Sequence, residues 1–272
     1  MSRIIIESGK AERHYWADLW KYRELFLFLA WRDILVRYKQ TVIGVLWAVL
    51  RPVLTTIVFV VVFSRLAKLP SEGVPYPILV FSAMLPWQFF ATALSEASNS
   101  LVSNANMISK IYFPRLVVPA SAIIVAFTDF LISLCILAVM MLSYGIAPSW
   151  HLLLIIPLTG ITFLTAFGAG VWLAALNVEY RDFRYVIPFI VQFGLYISPV
   201  GFSSSVIPDK WRLLYSINPM VGVIDGFRWA ITGKAVFFNW EGFAISLMLV
   251  FLIAAGGIWY FRKTERAFAD VI

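Results

Sequence analysis

The sequence has few of the residues on which soluble and disulfide-linked proteins depend. Its one cysteine, Cys135, lies in an apolar run, which excludes a disulfide framework and a cysteine-based metal site. Only 14% of the 272 residues are charged and 61% are hydrophobic, whereas roughly 25% of residues are charged in a soluble domain. The two histidines, His14 and His151, are far apart and more typical of a membrane interface than of a ligand pair. These shortages predict an integral membrane protein.

Enzyme motifs are also lacking. There is no GxxxxGK[ST] phosphate loop, no HExxH and no G-x-S-x-G elbow. No segment between the apolar runs exceeds about forty residues, which is too short for a soluble catalytic domain. We therefore expect no bound cofactor or metal, and energy supplied by another chain. A membrane-embedded enzyme that uses a few carboxylates at the interface stays an alternative.

The sequence has long apolar runs instead, and they predict an all-α membrane protein with six transmembrane helices. A helical span needs about 20 apolar residues to cross about 30 Å of hydrocarbon. The predicted spans are about 41–66, 76–101, 116–144, 152–177, 185–202 and 240–260. Together they form one transmembrane domain, 41–272, which follows an amino-terminal segment, 1–40.

Lysine and arginine predict the orientation. Fifteen of them lie in segment 1–40, in the second and fourth loops and in the tail, against six on the other side. The positive-inside rule then places both termini in the cytoplasm. The net charge of +7 fits cytoplasmic loops and anionic membrane lipid, so we expect no nucleic acid partner.

Two segments do not fit a plain six-helix pattern. Segment 1–40 mixes aromatic residues with cations, which is typical of an amphipathic helix along the membrane interface. Segment 203–239 is too apolar for a free loop and too interrupted by Pro219, Gly222 and Gly226 for a span. It therefore predicts short re-entrant half-helices on the external side, between spans five and six.

Charges within the spans are costly. Arg51 lies about 15 Å and Asp129 about 20 Å into their predicted spans, and Glu96 about 8 Å from the cytoplasmic end. A charge at the centre of a membrane helix costs roughly 2.5–3.5 kcal/mol even on the mildest scale. The depths predict that Arg51 pairs with Asp129, either as a structural ion pair or as a contact for substrate.

Aromatic residues follow helical spacing in the fifth span. Phe189, Phe193 and Tyr196 occupy one face. Such a face either packs against another helix or lines a path in which sugars stack on aromatic rings. The short charged turn before it, in "ALNVEYRDFRYVIPF", is either a solvated turn or a contact for a cytoplasmic partner.

Four stretches, in chain order, cover much of the sequence: "LAWRDILVRYKQTVIGVLWAVLRPVLTTIVFVVVF", "YPILVFSAMLPWQFFATALSEASNSLVSNANMISKIYFPRLVVP", "LNVEYRDFRYVIPFIVQFGLYISPVGF" and "INPMVGVIDGFRWAITG". Together they resemble the membrane subunits (permeases) of bacterial ABC exporters for lipid-linked polysaccharides of the O-antigen, capsule and teichoic acid type. The resemblance implies a homodimer in the inner membrane, with two separate ATPase subunits that bind ATP and magnesium.

The resemblance also implies roles for particular residues. Segment 102–115 is similar to the segment that couples such permeases to the ATPase, and the turn after the fourth span lies nearby. The candidate coupling residues are Asn104, Asn106, Met107, Ile108, Lys110, Tyr112, Phe113, Arg115, Tyr180, Arg181 and Asp182, with Met107, Ile108 and Phe113 as apolar anchors. The first and fifth spans should border the glycan path, with Trp47, Phe189, Phe193 and Tyr196 as candidate lining residues.

The sequence thus predicts a permease subunit, not an enzyme, that exports undecaprenyl-linked polysaccharide. An ABC exporter of a small amphipathic molecule, such as a drug or antibiotic, is the first alternative. A membrane glycosyl- or acyltransferase is the second.

Overall fold

The computed structural model describes residues 15–39, 42–180, 182–235 and 238–268, and over those residues the chain is helical without strands. The amino-terminal helices are α1 (Tyr15–Lys21) and α2 (Arg23–Lys39), and the long helices that follow are α3 (Val42–Phe59), α4 (Tyr76–Ser103), α6 (Val117–Ser143) and α7 (Ile155–Glu179), with the short α5 (Ala105–Ile108) after α4. Next come α8 (Phe183–Ile197), the short pair α9 (Asp209–Tyr215) and α10 (Pro219–Thr232), and α11 (Trp240–Thr264). The prediction of an all-α membrane protein is confirmed.

Among the described residues, five segments are long and apolar enough to cross a membrane. They are Leu46–Leu66, Tyr76–Ser103, Val117–Ser143, Trp150–Glu179 and Trp240–Thr264. The first includes a π-helical continuation of α3, and the fourth includes a 3-10 turn before α7. Their bounds lie within a few residues of the predicted spans.

The remaining predicted span, 185–202, is a shorter helix. α8 has 15 residues, which rise about 22 Å, and it ends at Ile197. Ser198 takes an extended backbone, with ψ of 150°, because the next residue is Pro199 and a proline disfavours helix at the residue before it. The chain therefore leaves the helix about five residues earlier than the apolar pattern predicts.

α4 is the central helix of the bundle. In its most apolar window 78% of residues are buried, against 17% in the window of the first span. Its buried side chains contact α6, α7, α8 and α10. The rest of the chain covers little of the first span. Most apolar side chains of that span are therefore open to lipid or to another protein.

α7 and α11 pack at backbone distance. A Cβ atom built on Gly257 would lie 2.2 Å from the carbonyl oxygen of Gly168. Small residues allow transmembrane helices to approach this closely, and the approach is how such helices gain van der Waals contact in lipid.

The segment that contains α9 and α10 folds back onto the bundle as short helices, as predicted, while its place on the external side stays a prediction. The side chain of Asn218 accepts a hydrogen bond from the backbone of Met220 at the start of α10, and Pro219 occupies the first turn. Gly233 ends the helix with a φ of 68°, a conformation that glycine adopts without strain. Most of α10 is buried against α4, α7 and α11.

The amino-terminal helix α2 runs along the bundle rather than only beneath it. Near its start, the Tyr22 hydroxyl donates to the backbone carbonyl of Tyr112, 3.4 Å away. At its end, Arg37 reaches Asp129, which is twelve residues, or about 18 Å, along α6 from Val117. The helix therefore carries polar side chains from the end of the bundle to the middle of α6.

Candidate functional site

A polar cavity of about 230 Å³ lies where α2, α3, α4 and α6 meet. Its polar and charged lining residues are Arg37, Tyr38, Arg51, Gln88, Thr92, Asp129 and Ser133. Its other lining residues are Trp47, Ala48, Pro52, Leu85, Phe89, Ala126 and Phe130. The cavity thus brings polar groups from four helices into an otherwise apolar bundle.

Asp129 holds the end of α2 at this cavity. Its carboxylate lies 3.3 Å from a guanidinium nitrogen of Arg37 and accepts a hydrogen bond from the Tyr38 hydroxyl. A second carboxylate, Glu96 on α4, lies 3.7 Å from Arg37. Arg37 thereby joins α2 to α4 and α6 through two acidic residues.

The predicted pair of Arg51 with Asp129 is wrong as regards the partner. Both residues line the cavity, but among the described residues Arg51 makes no ion pair, and Asp129 is paired with Arg37 instead. Depth gives the position of a charge along the helix axis, but not the direction in which its side chain points. The partner was decided by α2, which supplies a cation at the same depth.

The composition of segment 1–40 predicts that its cations lie at the membrane surface. It therefore does not predict that Arg37 and Tyr38 line this cavity. A signal was present in the spans themselves. Gln88 donates to Thr92 over 3.1 Å, and the Ser133 hydroxyl donates to the backbone carbonyl of Asp129 over 3.0 Å. Gln88 and Thr92 on α4 are four residues apart, as are Asp129 and Ser133 on α6. This spacing predicts one polar face on each of these apolar helices.

The candidate coupling segment, 104–115, is fixed to the chain at three points. Arg32 on α2 donates to the Asn104 side chain over 3.1 Å, and Tyr22 donates to the carbonyl of Tyr112. At its far end, the backbone N–H of Arg115 donates to Glu265 Oε1 over 2.8 Å. The segment is therefore a rigid projection and not a free loop.

Two of its predicted apolar anchors point inward. Ile108 is 3% exposed and Phe113 is 4% exposed, and both belong to a cluster with Leu29 and Phe261. They are buried because an apolar side chain at the aqueous end of a bundle gains more by packing on its own helices than by facing water. The prediction that Ile108 and Phe113 are apolar anchors for another subunit is therefore wrong, because both side chains are buried in their own chain.

The outward surface of the segment is formed by other residues. Asn106 and Lys110 are exposed and Met107 is half-buried. Ile111 is 58% exposed and Tyr112 is 64% exposed, and Ile111 was not among the predicted residues. An exposed isoleucine beside an exposed tyrosine and a lysine suits a protein contact, since aromatic side chains are enriched at interfaces.

The carboxyl-terminal turn, Glu265–Ala267, contacts the end of the candidate coupling segment at Arg115. The guanidinium of Arg115 donates to the backbone carbonyl of Glu265 and lies over the Phe268 ring. Burial raises the pKa of the Glu265 carboxyl, and the N–H of Arg115 opposes the rise. Arg115 is accordingly half-buried in its own chain, which leaves it less available to a partner than predicted.

The turn after α7 is only partly described. Tyr180 and Asp182 are exposed, while Arg181 lies outside the described residues. The neighbouring Glu179 accepts a hydrogen bond from Tyr260 on α11 over 2.8 Å. The turn is therefore tied to the same end of α11 that carries the carboxyl-terminal turn.

The aromatic face of α8 is open. Phe189 is 63%, Phe193 53% and Tyr196 61% exposed, and the two phenylalanine rings stack at 5.5 Å. The opposite face packs inward, with Ile187 buried and Gly194 against the Trp87 ring. Trp47 on α3 is also 58% exposed. Packing within one chain therefore does not explain the face, and a lining role stays a prediction.

Known proteins share the pattern of this chain. The profile of the family described as "ABC-2 type transporter" matches residues 24–232. The O-antigen export system permease protein RfbA of Klebsiella pneumoniae is 26% identical over 250 residues, 92% of this chain and 95% of that protein. The protein of the same name from Myxococcus xanthus is 29% identical over 216 residues, 78% of this chain and 81% of that protein. The polysialic acid transport protein KpsM of Escherichia coli is 21% identical over 248 residues, 89% and 93% of the two chains.

Proposed function

Because this chain belongs to the ABC-2 type transporter family, we propose that it is the membrane subunit of an exporter for undecaprenyl-linked polysaccharide of the O-antigen type. The observation that carries the proposal is similarity along almost the whole chain to permeases named for O-antigen export. The similarity to a polysialic acid transport protein extends the likeness to a second polysaccharide, which favours a glycan over a small amphipathic substrate.

Two copies of the chain form the transporter. The first span leaves most of its apolar surface uncovered, and α8 exposes a row of aromatic side chains. A second copy related by two-fold symmetry covers part of these surfaces, and the aromatic face of α8 borders the path between the copies. Aromatic rings there stack against the apolar faces of sugars while water in the path serves the hydroxyl groups.

A separate ATPase subunit supplies the energy and binds ATP and magnesium. It docks on the outward surface of segment 104–115, where Ile111 and Tyr112 are exposed. Contacts of that segment with α2 and the carboxyl-terminal turn transmit its movement to the bundle. The exposed Tyr180 and Asp182, together with Arg181, form a secondary contact.

Both termini lie in the cytoplasm of a bacterial inner membrane. The contacts of Tyr22 with Tyr112, of Arg115 with Glu265 and of Tyr260 with Glu179 bring four cation-rich segments to one end of the bundle. These are the amino-terminal helices, the second and fourth loops and the tail, whose sequences carry twelve of the 22 Lys and Arg residues. The positive-inside rule assigns that end to the cytoplasm.

Transport by the reconstituted complex tests the function. Vesicles that contain this chain and its ATPase are given radiolabelled undecaprenyl-linked glycan on the ATPase side, and protected label is counted with ATP or with a non-hydrolysable analogue. ATP-dependent movement of the glycan is expected. Movement of a lipophilic dye but not of the glycan would support the small-molecule exporter, and cleavage or extension of the glycan without movement would support the transferase.

A further inference from the structure

A cation in the middle of α3 has no ion-pair partner among the described residues. This cation is Arg51, which lies within the first span, five residues after Leu46; its side chain is exposed, and its guanidinium has no hydrogen-bond or ion-pair partner among the described residues. An arginine at such a position in a span is costly unless an anion accompanies it. Arg51 faces the polar cavity, so an anion bound there has direct access to it.

The charge of the cavity favours an anion. Its charged lining residues are Arg37, Arg51 and Asp129, which sum to one positive charge. Glu96 also contacts Arg37, so the two arginines and the two carboxylates balance in number, but both carboxylates contact Arg37 and neither forms an ion pair with Arg51. Thr92 and Gln88 add a hydroxyl and an amide N–H that can donate to oxygen atoms, whereas the Ser133 O–H already donates to the Asp129 carbonyl.

The size of the cavity limits what can enter. At about 230 Å³ it is smaller than the roughly 300–1,000 Å³ of pockets that hold whole drug-sized molecules. A phosphate or diphosphate group suits this volume, and a folded oligosaccharide does not. A guanidinium also matches phosphate oxygens with two parallel hydrogen bonds, which makes arginine the residue that recognises them best.

An apolar stripe continues from Arg51 along the same helix. Leu54 is 49%, Val58 58% and Val61 41% exposed, and they follow Arg51 at i+3, i+7 and i+10 on one face. A hydrocarbon chain attached to the anion can lie on this stripe while the anion sits at Arg51. This arrangement points to an anion that carries a lipid, rather than to a free inorganic ion.

We propose that the cavity binds the phosphate groups of the lipid carrier, with Arg51 as the residue that contacts them and the stripe after it as the bed of the polyprenyl chain. The inference rests on the proposed function, since it takes the carrier to be undecaprenyl diphosphate. Ordinary anionic phospholipid offers the same chemistry, so the test separates the two lipids.

Binding of defined lipids to the purified full chain tests the site. The chain is placed in nanodiscs of phosphatidylcholine, undecaprenyl diphosphate or phosphatidylglycerol is added, and bound lipid is counted by native mass spectrometry. Arg51→Met should raise the dissociation constant for undecaprenyl diphosphate by about tenfold or more, because a charge-assisted contact is lost. Arg51→Lys keeps the positive charge but lacks the two parallel N–H donors of the guanidinium, so the dissociation constant should rise less.

Arg65→Met is the matched control. Arg65 is an exposed arginine in the continuation of the same helix and is not a lining residue of the cavity, so its removal should leave binding unchanged. Unchanged binding in Arg51→Met would overturn the site. If Arg51→Met does not fold, unchanged binding in Arg51→Gln, which also removes the charge, overturns it equally.

The remaining outcomes separate the sources of the anion. Equal weakening of phosphatidylglycerol and undecaprenyl diphosphate by Arg51→Met would mean a general phospholipid site and overturn the assignment to the carrier. Wild-type chain that binds no undecaprenyl diphosphate would count against the proposed function itself. Wild-type binding and export together with intact binding in Arg51→Met would leave that function standing and reject only the site.

Discussion

Arg228 and Arg51 are the same residue type in opposite surroundings. Arg228 on α10 is fully buried, and it donates to the backbone carbonyls of Leu79 and Val200, each over 3.3 Å, with Asp225 at 3.7 Å. Arg51 on α3 is exposed at a cavity and has no ion-pair partner among the described residues.

The difference separates a structural arginine from one that is available to a ligand. The Val200 carbonyl follows the early end of α8 by three residues, so Arg228 on α10 connects this part of the chain to α4. Removal of Arg228 should therefore damage the fold, and removal of Arg51 should not. The same contrast exists between Phe113, which is buried, and its exposed neighbour Tyr112.

The largest expected effect is on stability at Arg228. Arg228→Met leaves Asp225 buried without its partner and removes the donors to two carbonyls, so the free energy of unfolding should fall by about 3–5 kcal/mol. Thermal unfolding in detergent measures it. Arg228→Met with Asp225→Leu should lose less, and Arg51→Met should stay within about 0.5 kcal/mol of wild type. Equal losses for the two arginines would remove the contrast.

The next largest effect is expected from alanine substitutions at Phe113 and Tyr112, which should affect stability and ATPase binding respectively. Phe113→Ala empties a packed position and should cost about 3–5 kcal/mol of stability. Tyr112→Ala should leave stability nearly unchanged and weaken the complex with the ATPase by about 2 kcal/mol, as for an aromatic anchor at an interface.

Unfolding of each variant and co-purification with the ATPase measure this pair. Ile111→Ala should resemble Tyr112→Ala, since both side chains are exposed on the same segment. Wild-type ATPase binding by Tyr112→Ala and Ile111→Ala together would place the contact elsewhere, with the amino-terminal helices as the next candidate.

The smallest effect concerns the partner of Asp129. Arg37 and Asp129 are partly exposed, so their coupling in a double-mutant cycle should be only about 0.5–1 kcal/mol. Arg37→Met, Asp129→Leu and the double variant, compared by thermal unfolding, give that value. The same cycle with Arg51 and Asp129 should give additive losses. Coupling of Arg51 with Asp129 above that of Arg37 would restore the pairing predicted from depth.

Helix positions were predictable because they depend on a property read along the chain. Length and hydropathy placed the spans within a few residues, since any segment that crosses lipid must satisfy its backbone internally and present apolar side chains. The early end of α8 was also within reach, because Pro199 restricts the backbone of Ser198 by a local steric rule.

Side-chain partners were not predictable in this way. The pairing of Asp129 with Arg37 requires the path of α2 and the rotation of α6, and these depend on contacts between residues about ninety positions apart. Inward burial of Phe113 likewise depends on Leu29 and Phe261, which lie far from it in sequence. Neither contact leaves a signal in local composition.

The sequence by itself determined that this protein is a helical membrane protein and where its helices run, because those features follow from the balance of apolar and charged residues over short windows. It also carried the family resemblance. The tertiary structure alone decided which charges neutralise one another and which side chains face outward. Packing places the helices in three dimensions, and it leaves Arg51 at the cavity without an ion-pair partner among the described residues.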